Sequence, residues 1–250
     1  MDNTPGSSAS NNPGITPGSN HISSQFDADL EDIRTRMLQM GGMVEAQVRA
    51  AVAIYDSMDH AQYSTLKANE ERINQLEIDL DNLCTHMIVR RQPAAGDLRL
   101  VMAVVKTITD LERIGDEADK IARYSAGMHE RGSVHLPGFT DIHTAAHIAV
   151  TMLKDALDAF ARLDATAAAR IVLEDKNIDN EFRSVLRQLI TFMMEDPRTI
   201  STALDTIWIA KAIERVGDHA QNIAEYVIFA AKGTDVRHAS QEKLAQTLAG

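Results

Sequence analysis

Apolar residues recur along most of the chain at spacings of three and four, the period that lines one face of an α-helix. The first such run is Leu30, Ile33, Met37, Met40, Val44 and Val48. A second helix is predicted from an N-cap at Asp59 to Arg90 and Arg91, whose cations suit the negative end of the helix dipole. Pro93 and Gly96 interrupt the pattern. A third helix is then predicted over 98–128, with Val101, Val104, Ile108, Leu111, Ala118 and Ala122 as its apolar seam. Gly132, Pro137 and Gly138 mark a longer connection. Beyond it the layout repeats: a helix over 140–162, an N-cap at Asp164, a helix ending near Asp196–Pro197, and a last helix over 200–232.

The repetition extends to individual residues. Glu112-Arg-Ile-Gly-Asp116 matches Glu214-Arg-Val-Gly-Asp218 at a constant offset of 102, and Ala118, Ile121, Ala122 and Tyr124 recur as Ala220, Ile223, Ala224 and Tyr226. Upstream, Glu70, Ile73 and Asn74 align with Asp175, Ile178 and Asp179 at an offset of 105. This is the mark of an internal duplication. The expected fold is all-α, two tandem three-helix bundles at 26–130 and 139–232 related by pseudo-twofold symmetry. Residues 1–25, rich in Ser, Gly, Asn and Pro, cannot bury enough apolar surface to offset their ordering entropy and are read as a disordered tail. Residues 233–250 are read as a polar C-terminal tail.

Composition supports helices, since aromatics are only 4% of the chain and Ala, Leu and Met are plentiful. A net charge of −11 leaves no basic footprint for nucleic acid. Cys84 is the single cysteine, so no internal disulfide forms; its apolar helical setting reads as a buried structural thiol in a reducing compartment. No apolar run reaches the roughly 20 residues of a membrane span, and the N-terminus lacks the order of a secretory signal. These features predict a cytoplasmic protein that meets a membrane only through a partner.

The candidate chemistry is carboxylate. Glu112 and Asp116, Glu214 and Asp218, and Asp175 and Asp179 each stand four apart, which sets two negative charges side by side on one helix face. Two such pairs on adjacent helices make an oxygen-rich patch suited to a hard or borderline divalent metal. Repeat two offers both pairs; repeat one offers Glu70 and Asn74 in place of the second, a weaker ligand set. Such pairs are also commonly solvated or salt-bridged, with Arg113 and Arg215 alongside, and spacing leaves both readings open. Gly115 and Gly217 occupy matching points inside helices, where glycine costs about 1 kcal/mol relative to alanine, so a helix or ligand is expected to approach closely. His219 follows Asp218 but points about 100° away and is at best an adjunct ligand. His143 and His147 are read as surface residues, and Trp208 as core or interface. No phosphate loop, nucleophile elbow or zinc-protease motif occurs, so no catalytic residue is assigned.

Asp110-Leu-Glu-Arg-Ile-Gly-Asp116 and Ile213-Glu-Arg-Val-Gly-Asp-His219 resemble the paired signature of the PhoU family of bacterial phosphate-signalling regulators. Arg91-Gln-Pro93, Asp196-Pro-Arg198 and Met40-Gly-Gly-Met-Val44 fit the same pattern, and the likeness spans 26–232. The resemblance implies a non-enzymatic, cytoplasmic negative regulator of the phosphate-starvation response and of phosphate uptake. It would act as an adaptor between the ATPase of a phosphate transporter and a sensor histidine kinase of two-component signalling, as a homodimer. Some members bind metal clusters through paired acidic motifs. That role would pass here to Glu112, Asp116, Asp175, Asp179, Glu214, Asp218 and Glu70, holding divalent or iron-type ions with no organic cofactor. Two rival readings stand beside it. One is a general helical scaffold unrelated to phosphate. The other is a carboxylate-bridged metal oxidase, which is disfavoured because no Glu has a His three residues later.

Overall fold

The structure is a computed structural model, and it describes residues 18–57, 60–132, 141–237, 239 and 244. Six long helices build it: α1 (Gly18–Ser57), α2 (His60–Arg91), α3 (Ala95–Glu130), α4 (Asp141–Arg162), α5 (Ala165–Glu195) and α6 (Ile200–Lys232), with a 3-10 turn at Pro197–Thr199 leading into α6. No strand occurs among the described residues. Each expected helix is present, and apart from the start of α1 the ends lie close to the positions expected.

The local signals act as read. Asp164 caps α5, its carboxylate accepting from the backbone N–H of Thr166 at 3.0 Å and of Ala167 at 2.9 Å. Gly233 ends α6 with φ of 72°, the left-handed conformation that glycine adopts without a Cβ penalty. Asp59 lies outside the described residues, as does the connection 133–140. Two boundaries differ. α1 begins at Gly18 rather than near Phe26. In the C-terminal segment, Val236 and Leu244 are buried against the core at 3% and 4% exposure. They are apolar residues set in polar surroundings, and they dock by α5 and α6 beside Val172 and Asn222.

The helix periodicity converts directly into a core. Ile33, Met37, Met40, Val44, Val48, Ala51 and Ile54 on α1 are all buried, as are Val101, Val104, Ile108, Leu111, Ala118 and Ala122 on α3. Burying each Val, Leu, Ile or Met among them contributes about 1.5–3 kcal/mol relative to leaving it exposed. Within each repeat the three helices pack on one another, α1 with α2 and α3, and α4 with α5 and α6. The repeats meet through α3 against α6 and α1 against α4, each helix on its own counterpart, as a pseudo-twofold requires. Both seams run antiparallel. Along one, Lys106, Asp110, Glu117 and Tyr124 of α3 meet Tyr226, Asn222, Arg215 and Trp208 of α6 in reverse order. Along the other, a Cβ on Gly41 would lie 2.5 Å from Leu157 Cδ2, so α1 and α4 approach closely here and any larger residue would push the Leu157 side chain aside.

Candidate functional site

Three carboxylates gather in repeat two. Asp179 on α5 and Glu214 and Asp218 on α6 each offer an oxygen, and the three oxygens lie within 4.8 Å of one another. The i,i+4 spacing of the α6 pair sets two of them on one face, and the packing of α5 on α6 brings the third. Gly217 permits that packing, since a Cβ there would meet Ile178 Cδ1 at 2.8 Å. Cations already attend the group: Lys211 pairs with Glu214, one turn earlier on α6, and Arg183 lies 3.5 Å from Asp179. Lys211 also sits over the Phe182 ring at 5.4 Å. The Asp175 side chain lies outside the described residues, so the four-carboxylate set expected for this repeat is described for three.

Repeat one is built differently from its equivalent helices. Glu70 on α2 is 9% exposed and packs against Gly115, whose Cβ would stand 3.1 Å from its Oε2. Gln47 on α1 donates through Nε2 to that carboxylate and reaches the Gly115 carbonyl at 3.4 Å. Glu70 Oε1, Asn74 Oδ1 and Gln47 Oε1 are buried without a hydrogen-bond partner. An unsatisfied buried polar group costs about 1–3 kcal/mol, so three together call for a ligand or a proton. Burial pushes the Glu70 carboxyl up to about 7; the Gln47 hydrogen bond opposes this, and the charges of Asp116, Asp119 and Glu112 add to it. Glu112 is raised as well, first by burial and then by Asp116 and Glu77, with Arg113 and His219 pulling the other way.

Glu77 and Asp119 therefore belong to this acidic group, although spacing by fours did not single them out. Their signal is visible as a heptad extension: Glu70, Asn74 and Glu77 share one face of α2, and Glu112, Asp116 and Asp119 one face of α3. The repeat-two counterparts of Glu77 and Asp119 are Phe182 and Gln221, so the asymmetry between the two sites is larger than the Asn74 exchange alone.

Sequence comparison names the architecture. A model of the PhoU domain matches the chain twice, over residues 37–125 and 142–227. The chain belongs to the PhoU family. It is 51% identical over 227 residues to the phosphate-specific transport system accessory protein PhoU homolog of Burkholderia sp, covering 90% of this chain and 97% of that protein. It is 44% identical over 230 residues to the accessory protein PhoU of Escherichia coli (strain K12), covering 92% and 95%. The crystal structure of PhoU from Pseudomonas aeruginosa superposes with a TM-score of 0.80 at 44% identity, over 84% of this chain and all of that one. The phosphate transport system regulatory protein PhoU from Streptococcus pneumoniae superposes with a TM-score of 0.77 at 25% identity, over 84% and 99%.

The remaining residues singled out in the sequence take other places. Each PhoU domain contains one acidic group, and the polar residues beside those groups tie the domains together instead. His219 is buried at the α3–α6 seam, with Nδ1 2.7 Å from Asp110 Oδ1, and Asn222 donates to the same oxygen at 3.3 Å. Arg215 meets Glu117 across the seam at 2.9 Å, and Arg113 stands 3.9 Å from Asp110. His219, read as at best an adjunct ligand, bonds across the seam, its offset of about 100° from Asp218 turning it toward α3. Trp208 lies at the interface of the PhoU domains rather than in the core, 55% exposed and stacked on Tyr124. Cys84 is fully buried, and its thiol is pushed up to about 12 by that burial. No helix among the described residues is long and apolar enough to cross a membrane.

Proposed function

We propose that this chain is a negative regulator of phosphate uptake and of the phosphate-starvation response, joining a phosphate-transporter ATPase to a sensor histidine kinase. The observation that carries the reading is identity of 51% and 44% with accessory proteins of the phosphate-specific transport system, over nearly the whole of each chain. A duplicated helical body with no membrane-crossing helix among its described residues suits an adaptor that reaches the membrane through its partners. A homodimer belongs to the same reading. The test is a pull-down of the tagged chain at cellular concentration, in phosphate-rich and phosphate-poor cells. Recovery of the ATPase or the kinase supports the adaptor; recovery of neither in both conditions returns the chain to a general scaffold.

The acidic groups are proposed to hold metal ions, and the donor chemistry fits. Repeat two presents three converging carboxylate oxygens, and repeat one presents buried oxygens of Glu70 and Asn74 that lack a partner. Glu214, Asp218, Asp179 and Asp175 would hold an ion in repeat two; Glu112, Asp116 and Glu70 would do so in repeat one, with Asn74 as a neutral ligand. An all-oxygen set suits hard or borderline cations such as Mg²⁺, Mn²⁺, Ca²⁺ or iron-type ions. A bound ion would supply charge compensation, holding α2 to α3 and α5 to α6 at the matching glycines.

A further inference from the structure

We infer a second kind of metal site, with nitrogen donors, at the seam where α1 of repeat one meets α4 of repeat two. His143 and His147 stand four apart on α4, the spacing at which two imidazoles on one helix face share a zinc ion. Both line a cleft of about 290 Å³ between α1 and α4, with Asp56 and Val52 on the opposite wall. Asp56 Oδ1 lies 3.2 Å from His143 Nε2. Two donors each about 2.1 Å from one ion, at tetrahedral or octahedral angles, stand about 3.0–3.4 Å apart. The pair is therefore already at ligand-to-ligand spacing. His147, one turn along α4 and exposed, lines the same cleft, and in the proposed site it supplies the third donor.

The surroundings hold this arrangement and admit a cation. The Tyr55 ring packs on the His143 imidazole at 6.2 Å between centroids, and Tyr55 is itself hydrogen-bonded to Thr206 of α6. Arg49, the one Lys or Arg lining the cleft among the described residues, is drawn back along α1 by Glu45, which accepts from its Nε at 3.0 Å and its Nη2 at 2.8 Å. Two neutral imidazoles and one carboxylate make an N₂O set, open to solvent at the remaining positions. That set selects borderline divalent ions, Zn²⁺ above all, over Mg²⁺ or Ca²⁺. The all-oxygen groups of α2–α3 and α5–α6 lack nitrogen donors and discriminate less against hard ions such as Mg²⁺ and Ca²⁺. An ion here would join the last turn of α1 to the first turns of α4 and so clamp the two repeats.

Calorimetric titration of the tag-free, chelator-treated chain with ZnCl₂ tests the site, in a hundredfold excess of Mg²⁺ that occupies the all-oxygen groups. One equivalent of Zn²⁺ should bind under these conditions, and the variant Asp116→Asn with Asp218→Asn should keep it. His143→Gln with His147→Gln should weaken that equivalent at least tenfold, and Asp56→Asn should weaken it to a lesser degree. All three positions are exposed, so these variants should melt with the parent in the absence of metal. With Cu²⁺ as the probe, electron paramagnetic resonance should show coupling to two nitrogens in the parent and none in the double histidine variant. An unchanged zinc equivalent, or unchanged nitrogen coupling, in the double histidine variant would overturn the assignment.

Discussion

Glu70 offers the sharpest test of how repeat one is balanced. Its carboxyl is raised from the ordinary glutamate value of 4.5 to about 7, with burial as the largest cause. The folded state therefore binds a proton between those values that the unfolded chain has released. The contribution is fully present below pH 4.5 and is lost as pH rises through 7. Raising the carboxyl from 4.5 to about 7 corresponds to at most about 3 kcal/mol. Glu70→Gln removes the charge while its amide oxygen still accepts from Gln47. In chelator, urea unfolding at pH 8 should find the variant more stable than the parent by about 1–3 kcal/mol, and the two should converge towards pH 5. If metal binds this group, adding Mn²⁺ should reverse the order, because the ionised carboxylate is the ligand and the parent gains more from the ion. A parent and variant whose stabilities run parallel from pH 5 to pH 8 would refute the buried, repelled carboxylate.

Three further outcomes follow from other contacts. Asp110→Ala should destabilise the chain by about 2–5 kcal/mol in denaturant, because the buried His219 and the half-buried Asn222 both lose their acceptor at the α3–α6 seam; a loss under 0.5 kcal/mol would show the seam is held without it. The adjacent glycines of α1 should respond with opposite signs: Gly41→Ala loses about 1 kcal/mol against Leu157, whereas Gly42→Ala, with nothing within 4 Å, gains up to about 1 kcal/mol from helix propensity. Thermal melts of the two variants check this, and shifts of equal sign would contradict it. Asp116→Asn with Asp218→Asn should strip metal from protein purified without chelator, as read by elemental analysis, while metal content equal to the parent would leave the acids as surface charge.

What the sequence showed and what it withheld divide along a physical line. Helices were legible because each carries its own information: the apolar period of α1, the Asp164 cap, the breaks at Pro93 and Pro197. The acidic pairs were legible because i and i+4 share a face whatever the tertiary fold. Contacts between repeats were not, since Asp110 with His219 and Glu117 with Arg215 depend on how α3 and α6 are set against each other, which no local period encodes. Lys211 was hidden for a different reason. It stands three residues before Glu214 on the same helix, where i,i+3 spacing allows an ion pair without requiring one, and only the folded side chains show that it compensates that acid. Glu77 and Asp119 were likewise in view as heptad extensions, and only the burial of Glu70 shows why their charge matters.

The adaptor claim is tested most directly by deleting the gene and following a phosphate-starvation reporter in phosphate-rich medium. The account predicts high reporter expression in the deletion strain and its return to the repressed level when the intact chain is supplied in trans. A reporter that stays repressed in the deletion strain would contradict it.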